Sequence, residues 1–362
     1  MAALAPTVHT GQLPTLRRWL RTIGDANIER YPPLAVMAGW VGVLSGDTAQ
    51  AERWVAFVDA ASSDGVPLDG SSSFESARAM LQAGMCAAGP EQMLADATFA
   101  VAHEPAWSPF RGSALWALGE AHLLAGHLDQ GRPLLAEAST AAATTGNADT
   151  VVLCESELAW LAMDRSDWHE AADRLEHALA VVDEHRMHDY ITCLQAFAGA
   201  ARLSLHDSDL HETHRQLTQA MRARPAATHV LPFTAVRLRL HLAKTYLALA
   251  DVATARQLLR ETDDIVGQRP ALGALVDEVE EFRRVLASGA TTGVAGMPPL
   301  SPAELRLLPY LQTHLTAERI AEQLFVSSWT VKTQVKSIYR KLGVSSRNEA
   351  VQHATAVGLL GA

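Results

Sequence analysis

The first 287 residues are dominated by a short motif that recurs at near-constant spacing. Each copy is a small or polar residue, a spacer, a larger side chain, two spacers and a second small residue, with helical windows on both sides. Five clear copies begin at residues 46, 126, 166, 208 and 250, and a degenerate copy begins near 88. Successive starts are therefore 38 to 42 residues apart. Because a lone helical hairpin cannot bury its apolar face, this spacing predicts an α-solenoid of stacked hairpins.

The motif resembles the tetratricopeptide repeat, whose second helix follows Gly-x-aromatic-x-x-Ala. Copies such as Gly126–Gly131 and Ser166–Ala171 carry this resemblance. The spacing is longer than the period of about 34 residues in that family, so the resemblance implies a tetratricopeptide-like array. Chance periodicity in an alanine-rich sequence is the alternative, and five regularly spaced copies count against it. Helices over 12–23 and 271–287 are expected to cap the two ends.

A sharp change in composition after residue 287 marks the clearest domain boundary. The segment 288–299 is rich in Gly and Thr and ends in two prolines, which is typical of a flexible linker. We therefore predict a helical-repeat domain over 1–287, a linker over 288–299 and a separate domain over 300–362.

The charge of the chain is divided in the same way. The whole chain has 30 basic and 40 acidic side chains, a net charge of −10, whereas residues 300–362 have seven basic and four acidic ones, a net charge of +3. Three of the four lysines, Lys332, Lys336 and Lys341, lie in this last domain. A basic module on an acidic body is typical of nucleic-acid binding that is confined to one domain.

Capping signals divide the last domain into four helices. They are predicted to begin after Ser301, Thr316, Ser327 and Ser346, and Gly343 is placed to end the third. Pro309 interrupts the first helix and is expected to kink it. The third helix has an apolar side, which consists of Val331, Val335, Ile338 and Leu342. Its other side has Lys332, Thr333, Lys336 and Arg340. Such a helix fits the DNA major groove, and a merely solvated helix is the alternative.

Residues 300–360 resemble the LuxR-type helix-turn-helix family. The matching residues are Leu300-Ser-Pro-x-Glu304, Ile320-Ala-Glu-x-Leu-Phe-Val-Ser327, Thr330-Val-Lys332, Ile338-Tyr-Arg-Lys-Leu-Gly-Val344, Arg347-Asn-Glu-Ala350 and Gly358-Leu-Leu360. The chain departs from the family pattern at Ala303, Trp329 and Gln334. The resemblance implies that the bases are contacted by Lys332, Thr333 and Lys336. It implies that the phosphates are contacted by Thr316, Ser328, Thr330, Arg340 and Lys341.

The repeat array looks like the helical sensor region of the large ATP-binding LuxR regulators related to the maltose activator. Those proteins carry a nucleotide-binding module ahead of the array. This sequence has no Gly-x-x-x-x-Gly-Lys-[Ser/Thr] loop, so no ATPase is expected.

Other classes of function find little support. The three cysteines, Cys86, Cys154 and Cys193, are widely separated and fit reduced thiols in a cytoplasmic protein. No signal peptide and no apolar run of membrane-spanning length is found. The pairs His185/His188 and His211/His214 lack a third ligand at a fixed spacing, so neither a metal nor another cofactor is expected. Six of the eight tryptophans lie between residues 40 and 168, where core packing is favoured over a ligand groove.

The sequence therefore predicts an all-α bacterial transcriptional regulator without enzymatic activity. Its partners would be double-stranded DNA, a second copy of itself through Val351 and Ala354 of the fourth helix, and an unidentified signal. That signal could be a small-molecule effector, and the repeats could also bind RNA polymerase or another protein. The alternative function is an interaction scaffold with a vestigial DNA-binding appendage.

Overall fold

Six helical hairpins, stacked in chain order, form the larger part of the molecule. The computed structural model describes residues 10, 12–64, 67, 69–292, 300, 302–313, 315–324, 326–356 and 360. These residues form nineteen α-helices and no strands, which confirms the predicted all-α class. The helices before and after the hairpins are α1 (Leu13–Ile23), α2 (Asp25–Glu29) and α15 (Ala274–Thr292). The hairpins are α3–α4 (Pro32–Ser45, Thr48–Ala60), α5–α6 (Phe74–Met85, Pro90–His103), α7–α8 (Arg111–Leu124, Leu128–Thr145), α9–α10 (Ala148–Asp164, Trp168–His185), α11–α12 (Leu194–His206, Leu210–Ala223) and α13–α14 (Pro232–Ala248, Val252–Gln268).

Each clear copy of the sequence motif forms the turn inside a hairpin. Its first residue has a left-handed backbone, with φ of 70° at Gly46, 61° at Ser166 and 63° at Ala250. In four of the five copies the next residue is an aspartate that caps the following helix, and in the fifth His127 makes no side-chain cap. The carboxylate of Asp47 accepts a hydrogen bond from the backbone N–H of Gln50 at 3.2 Å. The same cap recurs at Asp167, Asp209 and Asp251. A left-handed residue followed by an acidic cap reverses the chain in very few residues.

The second small residue of the motif lies where the two helices of a hairpin approach most closely. At Gly131, an added Cβ would come within 2.6 Å of the Leu123 side chain and 2.9 Å of the Gly119 carbonyl oxygen. In the other copies the corresponding residue is fully buried, namely Ala51, Ala171, Thr213 and Ala255. The motif therefore encodes both the turn and the close packing behind it.

Replacing Ala250 by glycine is expected to stabilise the protein by about 0.5–1 kcal/mol. A left-handed residue with a Cβ costs about 1–2 kcal/mol, and glycine removes this cost while adding a smaller entropic one in the unfolded chain. Urea denaturation followed by circular dichroism would measure the change. The control is Ala95→Gly in the middle of α6, an exposed position, where the same replacement should destabilise by about 1 kcal/mol. Equal changes in the free energy of unfolding at the two positions would contradict backbone strain at Ala250.

The array winds until its last hairpin meets its first. The Glu52 Oε1 atom on α4 lies 3.1 Å from His229 Nε2 and 3.3 Å from Arg269 Nη2. Gly46 packs so closely on Ala226 that an added Cβ would lie 2.5 Å from its carbonyl oxygen. The first helices of the hairpins consequently lie on an enclosed inner surface, and α3, α9 and α13 are buried along most of their length.

Three of these inner helices are joined by a buried ion triad. The Arg237 Nη1 atom on α13 lies 2.6 Å from Glu120 Oε2 on α7 and 2.9 Å from Glu157 Oε2 on α9. All three side chains are less than 10% exposed. Burial raises the pKa of Glu157 to about 8 despite the attraction of Arg237.

The last helix of the array extends further than the sequence indicated. The predicted rear cap ended at residue 287, whereas α15 continues through the first five residues of the predicted linker to Thr292. A single interior glycine, Gly289, costs a helix only about 1 kcal/mol, which is too little to end it. Residues 293–299, the rest of the predicted linker, lie outside the described residues. No helix in the described part of the chain is long and apolar enough to cross a membrane.

Residues 302–356 contain the four predicted helices around a small core of their own. They are α16 (Pro302–Leu307), α17 (Ala317–Leu324), α18 (Ser328–Leu342) and α19 (Arg347–Ala356). Pro309 has the predicted effect, because α16 stops at Leu307 and the chain continues as a 3₁₀ helix to Gln312. The buried core residues include Leu308, Ile320, Val331, Ile338 and Ala350. Ser301, the predicted first cap, lies outside the described residues.

Candidate nucleic-acid interface

The helix α18 begins and ends at the residues that the sequence marked. The Ser327 hydroxyl accepts a hydrogen bond from the backbone N–H of Thr330 at 3.1 Å, and Gly343 ends the helix with a φ of 67°. Val331 and Ile338 are fully buried, so this side of α18 is fixed against the core. Because of this packing, the opposite side of α18 faces solvent.

The predicted base-contacting residues lie together on the solvent side of α18. Lys332, Thr333 and Lys336 are all exposed, and so is Arg340 one turn further on. Lys332, Lys336 and Arg340 are spaced at i, i+4 and i+8 and form one column about 12 Å long, given the rise of about 1.5 Å per residue. We call these three residues the cation column. Its length is close to the width of the B-DNA major groove, about 12 Å.

Lys332 has a partner on the preceding helix. Its Nζ lies 2.9 Å from Glu318 Oε1, and both side chains are well exposed, at 63% and 59%. The hydrogen bond from Lys332 lowers the pKa of Glu318, so this carboxylate stays charged across the neutral range. Lys332 must leave this pair to reach a base, and surface pairs of this kind are weak. The pair therefore orients Lys332 in the free protein without preventing it from contacting a base.

The predicted phosphate-contacting hydroxyls lie at the starts of α17 and α18. Thr316 is exposed and caps α17, with its hydroxyl 3.4 Å from the backbone nitrogen of Arg319. Ser328 and Thr330 are half-buried in the first turn of α18, and the Thr330 hydroxyl lies 2.8 Å from that of Ser327. Helix starts of this kind present N–H and O–H donors, which suit phosphate oxygens.

Lys341 does not belong to this surface. Its Nζ lies 2.7 Å from Glu304 Oε2 on α16, and the two side chains are only 10% and 7% exposed. The phosphate contact predicted for Lys341 would require this ion pair to open, because the ammonium group is held inside the domain. Ala354, which was expected to contribute to a dimer contact, is fully buried as well and is not available to a second copy.

Two exposed apolar side chains lie near the start of α18. Trp329 is 75% exposed in the first turn of α18, and Val326 beside it is 40% exposed. These two form an apolar spot next to the cation column.

Arg347 at the start of α19 has a structural role: its guanidinium donates to the carbonyl oxygens of Tyr310, Leu311, Thr313 and Leu315 at 2.6 to 2.9 Å. These carbonyl groups lie at and beyond the end of the 3₁₀ helix at Gln312, where a helix end leaves carbonyl groups without an intrahelical donor.

Replacing Arg347 by alanine is expected to reduce the stability of residues 302–356 by about 3 kcal/mol. The change removes four charge-assisted hydrogen bonds and leaves carbonyl groups without a donor. Hydrogen exchange of backbone amides, read by mass spectrometry, would report the loss for this domain alone. Arg306→Ala removes an exposed arginine from the same domain and should leave exchange unchanged. This role would be contradicted if Arg347→Ala also made exchange faster in the repeat domain. It would be contradicted equally if exchange became faster in neither domain.

Together these features define a helical-repeat protein with a C-terminal helix-turn-helix domain. The chain matches the family model of the MalT-like TPR region over residues 72–295 and that of the bacterial regulatory proteins of the luxR family over residues 298–354. Since the first match covers more than half of the chain, the chain belongs to the family with a MalT-like TPR region, and it ends in a luxR-type domain. It is accordingly a DNA-binding transcription regulator, as the resemblance implied.

Proposed function

We propose that α18 reads the major groove, with Lys332, Thr333 and Lys336 at the base edges. Phosphate contacts come from Arg340, from Thr316 and from Ser328 and Thr330. The observation that carries the proposal is the cation column, which is exposed and rigidly oriented by the burial of the other side of α18. Lysine donates well to guanine O6 and N7, so we expect guanine at the central positions of the site.

We propose further that the protein acts as a homodimer on DNA. One recognition helix reads only a few base pairs, and useful specificity requires two half-sites about 10 base pairs apart. Ala354 is buried and so cannot form the dimer contact. The exposed apolar spot at Trp329 and Val326 lies next to the cation column, which DNA would cover in this proposal, so it does not form that contact either. The half-buried Val351 on α19 is what remains of the predicted surface.

The helical-repeat domain, in this proposal, receives the signal that adjusts DNA binding. The enclosed inner surface and the contacts between the first and last hairpins support this role. A ligand or protein that alters those contacts would change the whole array, because each hairpin packs on its neighbours. We propose no enzymatic activity, and the protein would act in the bacterial cytoplasm, where its DNA target lies.

Selection of bound sequences from random DNA by the purified chain tests the proposal. We expect a two-fold symmetric consensus with guanine in both half-sites. The competing function is an interaction scaffold whose last domain no longer reads DNA. The absence of any sequence preference, from low to high salt, would favour the scaffold over the regulator.

A further inference from the structure

The inner surface of the array contains a deep, mostly apolar cleft. It is formed by α3, α5, α7 and α9 and has a cavity volume of about 70 Å³. Aromatic and sulfur-containing side chains form much of its wall, among them Met37, Trp40, Met80, Phe110 and Trp116. Two of the six clustered tryptophans thus line a cleft, although the sequence favoured core packing for all of them. An apolar lining with a few convergent polar groups is typical of small-molecule sites.

Most polar groups in the cleft already bond to each other. The Asn147 side chain donates to the Ser113 hydroxyl at 3.0 Å and accepts from the backbone N–H of Thr150 at 3.2 Å. The Ser113 and Thr150 hydroxyls lie 3.1 Å apart. A neutral polar ligand would have to compete with this closed network for each of its hydrogen bonds.

Two carboxylates in the cleft are different. Asp149, half-buried in the first turn of α9, accepts a hydrogen bond from the Thr192 hydroxyl. Asp69 accepts from the backbone N–H and the hydroxyl of Ser71 at 3.0 and 2.7 Å. In the described part of the chain, no Lys, Arg or His lines the cleft and no ion pair involves either carboxylate. Burial raises the pKa of Asp149 to about 7, as expected for a carboxylate that no cation of the chain stabilises.

We propose that this cleft binds an organic cation with an apolar body. Its ammonium group pairs with Asp149, in the negative potential of Asp69 and against the ring faces of Trp40 and Trp116. Its apolar body packs on the methionine and leucine side chains behind them. Indole faces attract cations through their quadrupole, and a desolvated cation–π contact is stronger than an exposed one. An anion would be repelled, and a neutral ligand would leave the two carboxylates without a counter-charge. The inference rests on the proposed role of the repeats in receiving a signal.

A matched pair of probes tests the ligand class on the full chain. The probes are 2-phenylethylamine and 2-phenylethanol, which have nearly the same shape and differ in charge. Titration calorimetry should show the amine binding roughly tenfold or more tightly than the alcohol, because only the amine makes the charge-assisted and cation–π contacts. Asp149→Asn should weaken binding of the amine by roughly tenfold and leave binding of the alcohol unchanged. Thr192 can still donate to the asparagine, so the local bond is retained.

The control variant is Asp129→Asn, which changes an exposed aspartate at the same position in the first turn of α8. It should leave the binding of both probes unchanged. If Asp149→Asn does not fold by circular dichroism, Asp69→Asn takes its place and should weaken the amine severalfold. Equal affinity for the amine and the alcohol, or equal effects of the cleft and control variants, would overturn the proposal.

DNA binding in the same samples separates this inference from the proposed function. Tight amine binding that changes the affinity for the selected DNA supports both. If the chain does not bind the amine but binds DNA with sequence specificity, the cleft ligand is rejected and the proposed regulator function still holds. Amine binding by a chain without sequence preference supports the cleft and rejects the regulator.

Discussion

Arg237→Ala is expected to destabilise the repeat domain by about 3–5 kcal/mol, the largest effect of any single change proposed for this chain. The change leaves Glu120 and Glu157 buried without their cation, and an uncompensated buried charge costs this much in other proteins. Urea denaturation at pH 7, followed by circular dichroism, measures the loss. The three helices that the triad joins come from separate hairpins, so we also expect a broader unfolding transition as their coupling weakens.

The pH dependence of this variant identifies the cause. In the folded variant, burial raises the pKa of Glu157 without the opposing attraction of Arg237, so the folded state binds more protons than the unfolded state. The free energy of unfolding must then rise as the pH falls through the neutral range toward 5. Glu157→Gln mimics the protonated acid and is the matched control, with an expected change below about 1 kcal/mol at pH 7. A pH-independent loss in Arg237→Ala would assign the effect to packing of the arginine stem.

The hairpins could be predicted from the sequence because their instructions are local. A left-handed residue, an acidic cap and a small residue all lie within six positions, as in Gly46–Ala51. The closure of the array could not be predicted in this way. Glu52 meets His229 and Arg269 across about half of the chain, and Arg237 meets Glu120 across 117 residues. Such pairs leave no periodic signal, since either residue alone is typical of a solvated surface.

The DNA-binding surface shows the same division. The cation column follows from helical periodicity alone, because positions four apart share a face. The same rule places Lys341, nine residues from Lys332, about 180° away from it around α18. Its predicted phosphate contact follows from the family resemblance instead. The partner of Lys341 is Glu304 on another helix, and a spacing of 37 residues predicts nothing about that contact.

The double change Lys332→Ala and Lys336→Ala is expected to weaken binding to the selected DNA site by about 2–6 kcal/mol per bound domain. Each good base contact discriminates by about 1–3 kcal/mol, and in the proposed complex both lysines occupy the part of α18 that reaches furthest into the groove. Fluorescence anisotropy with a labelled duplex measures the change. Lys336 should account for the larger share, since Lys332 first has to leave the carboxylate of Glu318. The double variant should bind the selected site and a scrambled duplex about equally.

Arg340→Ala and Lys244→Ala distinguish base recognition from charge. Arg340 lies at the far end of the cation column, so its loss should weaken all duplexes alike and reduce the dependence of log K on log salt by about one unit. Lys244 is the one lysine in the repeat domain, and its removal changes the net charge by the same amount without touching α18. It should leave DNA affinity unchanged. If the double variant keeps its preference for the selected site, a different face of the domain reads the bases. Should Lys244→Ala weaken binding as strongly as Arg340→Ala, net charge and not the cation column governs the affinity.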